Sequence, residues 1–307
     1  MKRKILITGS NGLLGQKIIF GLLNNNEVEI IATSLGENRM PHTNGYVYET
    51  LDITKKEQIE NAVIKHKPDV IINTAAMTNV DACETQKEEC WAQNVLAVEY
   101  FVNAITALKK QSNGKDIHFI HLSTDFIFDG ENGPYKEEDV ANPLSYYALS
   151  KNEAEKILFA SSIRWSILRT CLVYGVVHRM SRSNIVLWAK DALTKGTKIN
   201  VVDDQFRSPT LAEDLAQGCI LSALKGVTGI FNISGKNTMS ILELVNTVGD
   251  FWKLDTSCVT PIKSNTLNQA AKRPPRTGFI LDKAIKELGY APHSFKEGLA
   301  ILDKQLS

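Results

Sequence analysis

Tyr147 and Lys151 stand four residues apart in Tyr146-Tyr147-Ala148-Leu149-Ser150-Lys151, a stretch whose pattern predicts a helix, so their side chains share one face. A free tyrosine titrates near ~10 and is a poor acid or base at neutral pH. Lowering it by about three units takes roughly 4 kcal/mol of preference for the phenolate. One ammonium at about 4 Å provides an amount of that order at an effective dielectric near 20. Tyr146 is not the reactive phenol, because the residue four positions on is the uncharged Ser150. Tyr-x-x-x-Lys alone also describes an exposed helix pair worth only tenths of a kcal/mol. Its position decides between these readings. A hydroxyl pair, Ser123-Thr124, closes an apolar run about one loop upstream. Thr124 by itself reads as a loop-entry hydroxyl bonding its own backbone. In order with Tyr147 and Lys151 at one sheet edge, it reads as part of a redox-type catalytic site.

The elements that must position this group begin at the N-terminus. Ile5 to Ile7 predicts a buried parallel strand, broken at Thr8-Gly9, and an amphipathic helix starts at Leu13. Between them runs Gly9-Ser10-Asn11-Gly12-Leu13-Leu14-Gly15, a G-x-x-G-x-x-G turn. Gly9 permits the tight turn, Gly12 lets phosphate oxygens reach the backbone, and Gly15 lets helix and strand pack closely. The helix N-terminus offers free N–H groups to a pyrophosphate, with Asn11, Leu13 and Leu14 beside it.

Further strands are expected at Val28–Thr33, Tyr46–Glu49, Asp69–Asn73, Ile117–Leu122 and Trp165–Thr170, alternating with helices at 54–66 and 84–109. This alternation predicts an α/β fold, a Rossmann-type doubly wound parallel sheet. Residues 1–170 and a return segment, about 199–232, form the dinucleotide-binding domain. Residues 171–198 and 233–307 form a smaller substrate lobe, with helices at 183–195, 240–252 and 282–288. The second strand ends in Thr33-Ser34, where NAD binders usually carry an acid; Ser34 with Arg39 leaves room for a 2′-phosphate and favours NADP over NAD. Arg39 reads equally well as a solvated loop residue. Asp52, before Ile53, either faces the adenine or caps the next helix. Thr74-Ala75-Ala76-Met77-Thr78 puts small residues at a strand end, where a ligand can lie against the backbone. Asn94 is the polar exception beside the core stripe of the long helix.

With 307 residues, 43% hydrophobic content and a formal net charge of +1, the chain has no global attraction for nucleic acid or membrane. Five scattered cysteines without a C-x-x-C pair suit a reducing compartment, and the charged start Lys2-Arg3-Lys4 precedes too short an apolar run for a secretory signal. The expected location is the cytoplasm. His118 and His121 point to opposite faces of their strand and the other histidines lack ligand spacing, so no catalytic metal is expected.

The chain resembles the extended short-chain dehydrogenases/reductases, in the dTDP-4-dehydrorhamnose reductase branch. The likeness is carried by Thr8-Gly9-x-x-Gly12-x-x-Gly15, Asn73-Thr74-Ala75-Ala76, Thr78-x-Val80-Asp81-x-x-Glu84, Ser123-Thr124-Asp125-Phe126-x-Phe128, Tyr147-x-x-x-Lys151, Leu168-Arg169-Thr170 and Asp204-Gln205-Phe206-x-x-Pro209-Thr210. It implies hydride transfer from NAD(P)H to the 4-keto carbon of a nucleotide-linked deoxysugar. On that likeness Tyr147 protonates the carbonyl oxygen, Thr124 hydrogen-bonds it with Asp125 beside the substrate, and Lys151 holds the nicotinamide ribose. Asp52 and Ile53 would line the adenine site, and flanking helices would pair a homodimer. Leu172, in place of an aromatic, and the loop 175–183 with His178, Arg179 and Arg182 depart from the family pattern. Arg207 and Arg273 are candidates to clamp a substrate diphosphate bidentately, against a plain surface role. An epimerase or dehydratase of the same fold, and a regulatory NADP-binding subunit, are the alternatives.

Overall fold

The computed structural model describes residues 2–111, 115–180 and 182–306. Seven strands form one sheet: β1 (Arg3–Thr8), β2 (Val28–Ser34), β3 (Tyr46–Thr50), β4 (Val70–Asn73), β5 (His118–Thr124), β6 (Arg164–Thr170) and β7 (Gly229–Ile233). Their order is β7-β6-β5-β4-β1-β2-β3, with every pairing parallel. The central strands are apolar on both faces, and all four residues of β4 are buried, as a sheet covered by helices on both sides demands. Strand order reverses between β1 and β4, and such a reversal opens a crevice at the strands' C-terminal ends. Register lines up the residues facing that crevice: Thr8 opposite Asn73, Asn73 opposite His121, and Thr124 opposite Thr170.

Helix α1 (Leu13–Leu22) covers one face through Ile18, Ile19 and Leu22, joined there by the helix Ala212–Lys225 through Leu215 and Cys219. The other face is covered by α2 (Lys56–His66), α3 (Ala97–Gln111) and α4 (Tyr146–Ala160). The expected helix at 84–109 is a series of pieces, Val80–Thr85, Lys87–Trp91, a π turn at Ala92–Leu96, and then α3. Beneath α4, Arg169 of β6 makes a bidentate pair with Glu155 at 3.1 and 2.7 Å, both side chains almost fully buried.

The small lobe packs helices Ile185–Thr194, Ile241–Trp252 and Phe295–Leu306 around Val186, Leu193, Leu244, Val248 and Leu299. A capping box between Ser240 and Glu243 fixes the start of its middle helix. The last helix had no counterpart in the sequence reading. The boundaries of the return segment also differ. Strand Ile199–Val202 pairs with Val259–Ile262 inside the small lobe, so the chain rejoins the sheet domain only at the helix Ala212–Lys225 and β7. Ala284 and Leu288, expected in the lobe, instead complete the core under α1.

Candidate active site

At Gly9 the backbone has φ +64°, and a Cβ there would lie 2.8 Å from Thr74 Oγ1 and 2.9 Å from Ala75 N. A Cβ on Gly15 would lie 2.4 Å from Gly9 O and 2.6 Å from Ser10 Cα, so only glycine lets α1 sit this close to the turn. Gly12 caps α1 without a side-chain hydrogen bond, which leaves the first-turn N–H groups at Leu13 and Leu14 open to an anion. Asn11 ties the turn to the loop after β2: its Nδ2 donates to Glu37 O at 2.8 Å and its Oδ1 accepts from Arg39 N at 2.8 Å. That staple sets the backbone of Arg39 beside the turn, in the loop that follows Ser34 at the tip of β2. The buried Ser10 Oγ and Gln16 Oε1 carry no hydrogen bond at this turn. The cradle therefore fits a dinucleotide pyrophosphate.

Asp52 accepts from Thr54 N at 2.9 Å and Thr54 Oγ1 at 2.7 Å, a turn that delays the helix start to Lys56. Ile53 is buried in the core under α2. Ala75 and Ala76 follow β4 directly, with Ala75 N donating to Thr8 Oγ1 at 3.2 Å. Exposed Thr78 accepts from Arg182 Nη1 at 3.2 Å, which draws the loop 175–183 over the crevice; Ser181 lies outside the described residues. Gln16 holds the same loop by donating to His178 O at 2.9 Å and to Asn11 O at 3.1 Å.

Thr124 and Tyr147 meet, while Lys151, one turn further along α4, is turned to His121 of β5. Ser145 caps α4 by accepting from Ala148 N, which starts the helix one residue before Tyr147. Tyr147 and Thr124 share a hydrogen bond, while Thr124 Oγ1 donates to Asp125 Oδ1 at 3.1 Å and accepts from Phe126 N at 3.2 Å. Burial pushes the Tyr147 phenol well above its ordinary value, opposed by the Thr124 hydrogen bond. The expected depression of that phenol by Lys151 is not what the structure shows. The groups acting on Tyr147 are Thr124, Asp125, Cys83 and Cys90, and Lys151 Nζ lies 3.1 Å from His121 Nε2 instead. Burial lowers Lys151 to about 8, against a raising contribution from Glu155 one turn on.

Asp125 is buried and faces inward, accepting from Thr277 Oγ1 at 2.5 Å and Cys171 Sγ at 3.0 Å. It positions Thr124 from behind. The two arginines expected as a diphosphate clamp are already engaged by the protein. Arg207 is buried, donates to Pro274 O at 2.7 Å and Phe206 O at 2.7 Å, and lies over the Phe126 ring at 5.2 Å. Arg273 grips Asp81 bidentately at 3.1 and 2.6 Å, holding the segment before Pro274 against helix Val80–Thr85. Leu172, at the position of the family's aromatic, takes φ +41° and packs into the lobe core.

Asn94, the polar exception that the sequence marked, and His121, whose junction sequence reasoning missed, form two polar junctions. Asn94, turned inward by the π turn, accepts from Met77 N at 2.9 Å and donates to Met77 O and Ser150 Oγ at 3.0 Å each. His121 joins Lys151 to Asn73. The odd spacing of His118 and His121 was the available signal, since it sends one of them toward α4 and the other toward Ser166. Among the described residues no group of three His, Cys, Asp or Glu could hold a metal ion, and no helix is long and apolar enough to cross a membrane.

A seven-stranded parallel sheet with a glycine turn at its order reversal and a Thr–Tyr–Lys group on the adjacent strand and helix defines an extended short-chain dehydrogenase/reductase fold. The chain belongs to the RmlD substrate binding domain family, whose model matches residues 3–307. It is 30% identical to a dTDP-4-dehydrorhamnose reductase of Aggregatibacter actinomycetemcomitans, over 96% of this chain and 97% of that protein. It is also 28% identical to the methionine adenosyltransferase 2 subunit beta of Bos taurus, over 94% of this chain and 83% of that one. A solved dTDP-4-dehydrorhamnose reductase from Clostridium acetobutylicum superposes with a TM-score of 0.84 at 29% identity, covering 99% of each chain.

Proposed function

We propose that the chain is an NADPH-dependent reductase of a nucleotide-linked 4-keto-deoxysugar, as in dTDP-rhamnose biosynthesis. The observation that carries this reading is the hydrogen bond joining Thr124, at the end of β5, to Tyr147 on α4, in a chain 30% identical to a dTDP-4-dehydrorhamnose reductase over nearly its whole length. The turn residues Gly9, Asn11, Gly12, Leu13, Leu14 and Gly15 would hold the pyrophosphate, Ser34 and Arg39 the 2′-phosphate, and Ala75, Ala76 and Lys151 the inner half of the dinucleotide. Bound there, NADPH supplies the hydride. Tyr147, kept protonated at neutral pH by burial, donates its proton to the carbonyl oxygen as the carbon is reduced. Thr124, fixed by Asp125 and Phe126 N, orients the phenol and hydrogen-bonds the same oxygen. Arg207 and Arg273 hold the walls of the sugar site rather than the diphosphate itself. The reading carries with it a cytoplasmic location and a homodimer.

The test is NADPH oxidation, followed by absorbance, with a dTDP-linked 4-keto-6-deoxysugar. Tyr147→Phe should lower kcat by about a hundredfold or more with the fold intact. A second reading, a non-catalytic regulatory subunit, is favoured by the relative from Bos taurus. No turnover by the wild-type protein with this substrate class would overturn the reductase and leave that reading.

A further inference from the structure

The edge strand β3 carries hydroxyl side chains at every second position, Tyr46, Tyr48 and Thr50, so they stand on one face. All three reach the loop that follows β2. Tyr46 Oη accepts from Asn38 Nδ2 at 2.9 Å and donates to His42 O at 2.5 Å. Tyr48 Oη donates to Gly36 O at 2.6 Å, and Thr50 Oγ1 donates to the same carbonyl at 3.2 Å. Packing does not hold this stretch. Leu35, Gly36 and Glu37 are exposed, and a Cβ on Gly36 would meet nothing within 4 Å. Hydrogen bonds therefore set its shape.

Tyr48 is the member that also touches the glycine turn. Arg39 N can only donate, so Asn11 Oδ1 faces it at 2.8 Å. Asn11 Nδ2 is left to face Glu37 O at 2.8 Å and Tyr48 Oη at 3.3 Å, one proton for each acceptor. The phenol oxygen accepts from Asn11, and its own single proton goes to Gly36 O. The junction cannot be turned round without setting one N–H against another. Burial raises the Tyr48 phenol above its ordinary value, opposed by the Asn11 hydrogen bond and by the charge of Arg39. The guanidinium therefore stands near this hydroxyl, on the side of the loop that faces the turn.

We propose that Tyr48 is a positioning residue for Arg39, and that it sets a preference for a dinucleotide carrying a 2′-phosphate by holding the loop 35–39 in the shape that presents the guanidinium to that group. The proposal rests on the reductase reading for the cofactor and names the residue that selects between its two forms. Its physical basis is preorganisation. A cation on a free loop must order that loop when it meets an anion, and the cost comes off the affinity. Here the loop is fixed at Gly36, Glu37 and Arg39 before any ligand arrives. Without the phenol oxygen, Asn11 loses a partner and Gly36 O keeps the longer bond from Thr50. NADH offers Arg39 no phosphate to meet, so it gains nothing from the ordered loop.

The experiment is a double-mutant cycle on the full-length protein, read by fluorescence titration with NADPH and with NADH. Tyr48→Phe should weaken NADPH about threefold to tenfold, as one lost neutral hydrogen bond does, and leave NADH within about twofold. In an Arg39→Ala background the same substitution should change NADPH binding by less than about 1.5-fold. A tyrosine that only supports the fold would weaken both nucleotides together, and one that binds the phosphate itself would keep its effect without Arg39; either result overturns the proposal. Thr50→Val removes the other donor to Gly36 O from an exposed position and should shift the NADPH-to-NADH ratio the same way, which covers a Tyr48 variant that fails to fold. A wild type that binds NADH as tightly as NADPH overturns the proposal and leaves the reductase reading intact. A wild type that shows the full cycle but reduces no keto sugar sinks that reading and leaves this one standing.

Discussion

Alanine at Gly12 and alanine at Gly15 separate what the turn does for the fold from what it does for a ligand. Gly12 has φ −80° and ψ 172°, which any residue adopts, and a Cβ there meets only Gly9 O at 3.2 Å. Alanine is a poorer N-cap than glycine by some tenths of a kcal/mol, and the stiffer unfolded chain returns about as much. Stability should therefore change by less than about 0.5 kcal/mol. At Gly15 the added carbon would stand 2.4 Å from Gly9 O and 2.6 Å from Ser10 Cα, both backbone atoms without a rotamer to retreat into. A helix-propensity gain of about 1 kcal/mol is set against overpacking of ~1–3 kcal/mol. Gly15→Ala should lose ~1–2 kcal/mol in urea unfolding. For NADPH the outcomes converge, since a methyl at Gly12 keeps a phosphate oxygen off the backbone N–H groups and one at Gly15 pushes the start of α1 away from the turn. Losing one charge-assisted hydrogen bond of about 1.5–3 kcal/mol weakens binding roughly ten- to a hundredfold. Fluorescence titration with NADPH reads this. If Gly12→Ala unfolds like the wild type and also binds NADPH within twofold of it, the cradle is not where the pyrophosphate sits.

Arg39→Ala should raise the KM for NADPH about tenfold and leave NADH unchanged, because the guanidinium would pair only with the 2′-phosphate; parallel changes for both cofactors would refute that role. Glu155→Ala leaves Arg169 buried without its partner and should cost ~3–5 kcal/mol in urea unfolding, whereas Glu155→Leu with Arg169→Met should recover most of the loss. His118, lowered to about 4 by burial, and His121, which burial also holds well below its ordinary value, are neutral in the fold but take up protons when unfolded below about pH 6.5. Stability contributed by these rings is present above pH 6.5 and falls as pH drops toward 4, with His118 accounting for roughly 2 kcal/mol of the fall between pH 6.5 and 4.5. His118→Asn should remove that part of the fall, and an unchanged slope would show that the ring is not held neutral.

The parts of the site that the sequence made legible are those written in local spacing. The glycine turn lies within seven residues, the Tyr147–Lys151 pair within one helical turn, and β-branched runs such as Val70-Ile71-Ile72 mark buried strands whatever their neighbours. Contacts between distant segments leave no such mark. Arg273 meets Asp81 across 192 positions and Arg207 meets Pro274 across 67, so both arginines look like free cations in the sequence while the fold neutralises one and buries the other. Lys151 shows the same limit on a smaller scale. Its spacing from Tyr147 fixes a shared helix face, but the 3.1 Å contact of its Nζ is with His121 of β5, thirty positions back. The last helix, Phe295–Leu306, was missed because its apolar face is defined by the lobe core it completes, with Phe295, Leu299 and Leu302 packed against Leu244 and Val248.

Three asparagines make one device of the crevice. Asn11 bridges the glycine turn to the loop after β2, Asn73 bridges β1 to β5, and Asn94 bridges the loop after β4 to α4. Each meets both a donor and an acceptor on the segments it joins. The strand ends of a parallel sheet carry unpaired polar groups that no further ladder will satisfy, and burying them unpaired costs ~1–3 kcal/mol each. An asparagine amide is a short neutral side chain that carries its donor and its acceptor on separate atoms, so it bridges two groups without adding a charge beside a diphosphate. An aspartate of the same shape would lose the donor and repel the ligand, while a leucine would strand both partners. The crevice is therefore held open by neutral staples and leaves its positive potential to Arg39 and the start of α1, a distribution that suits an anionic dinucleotide.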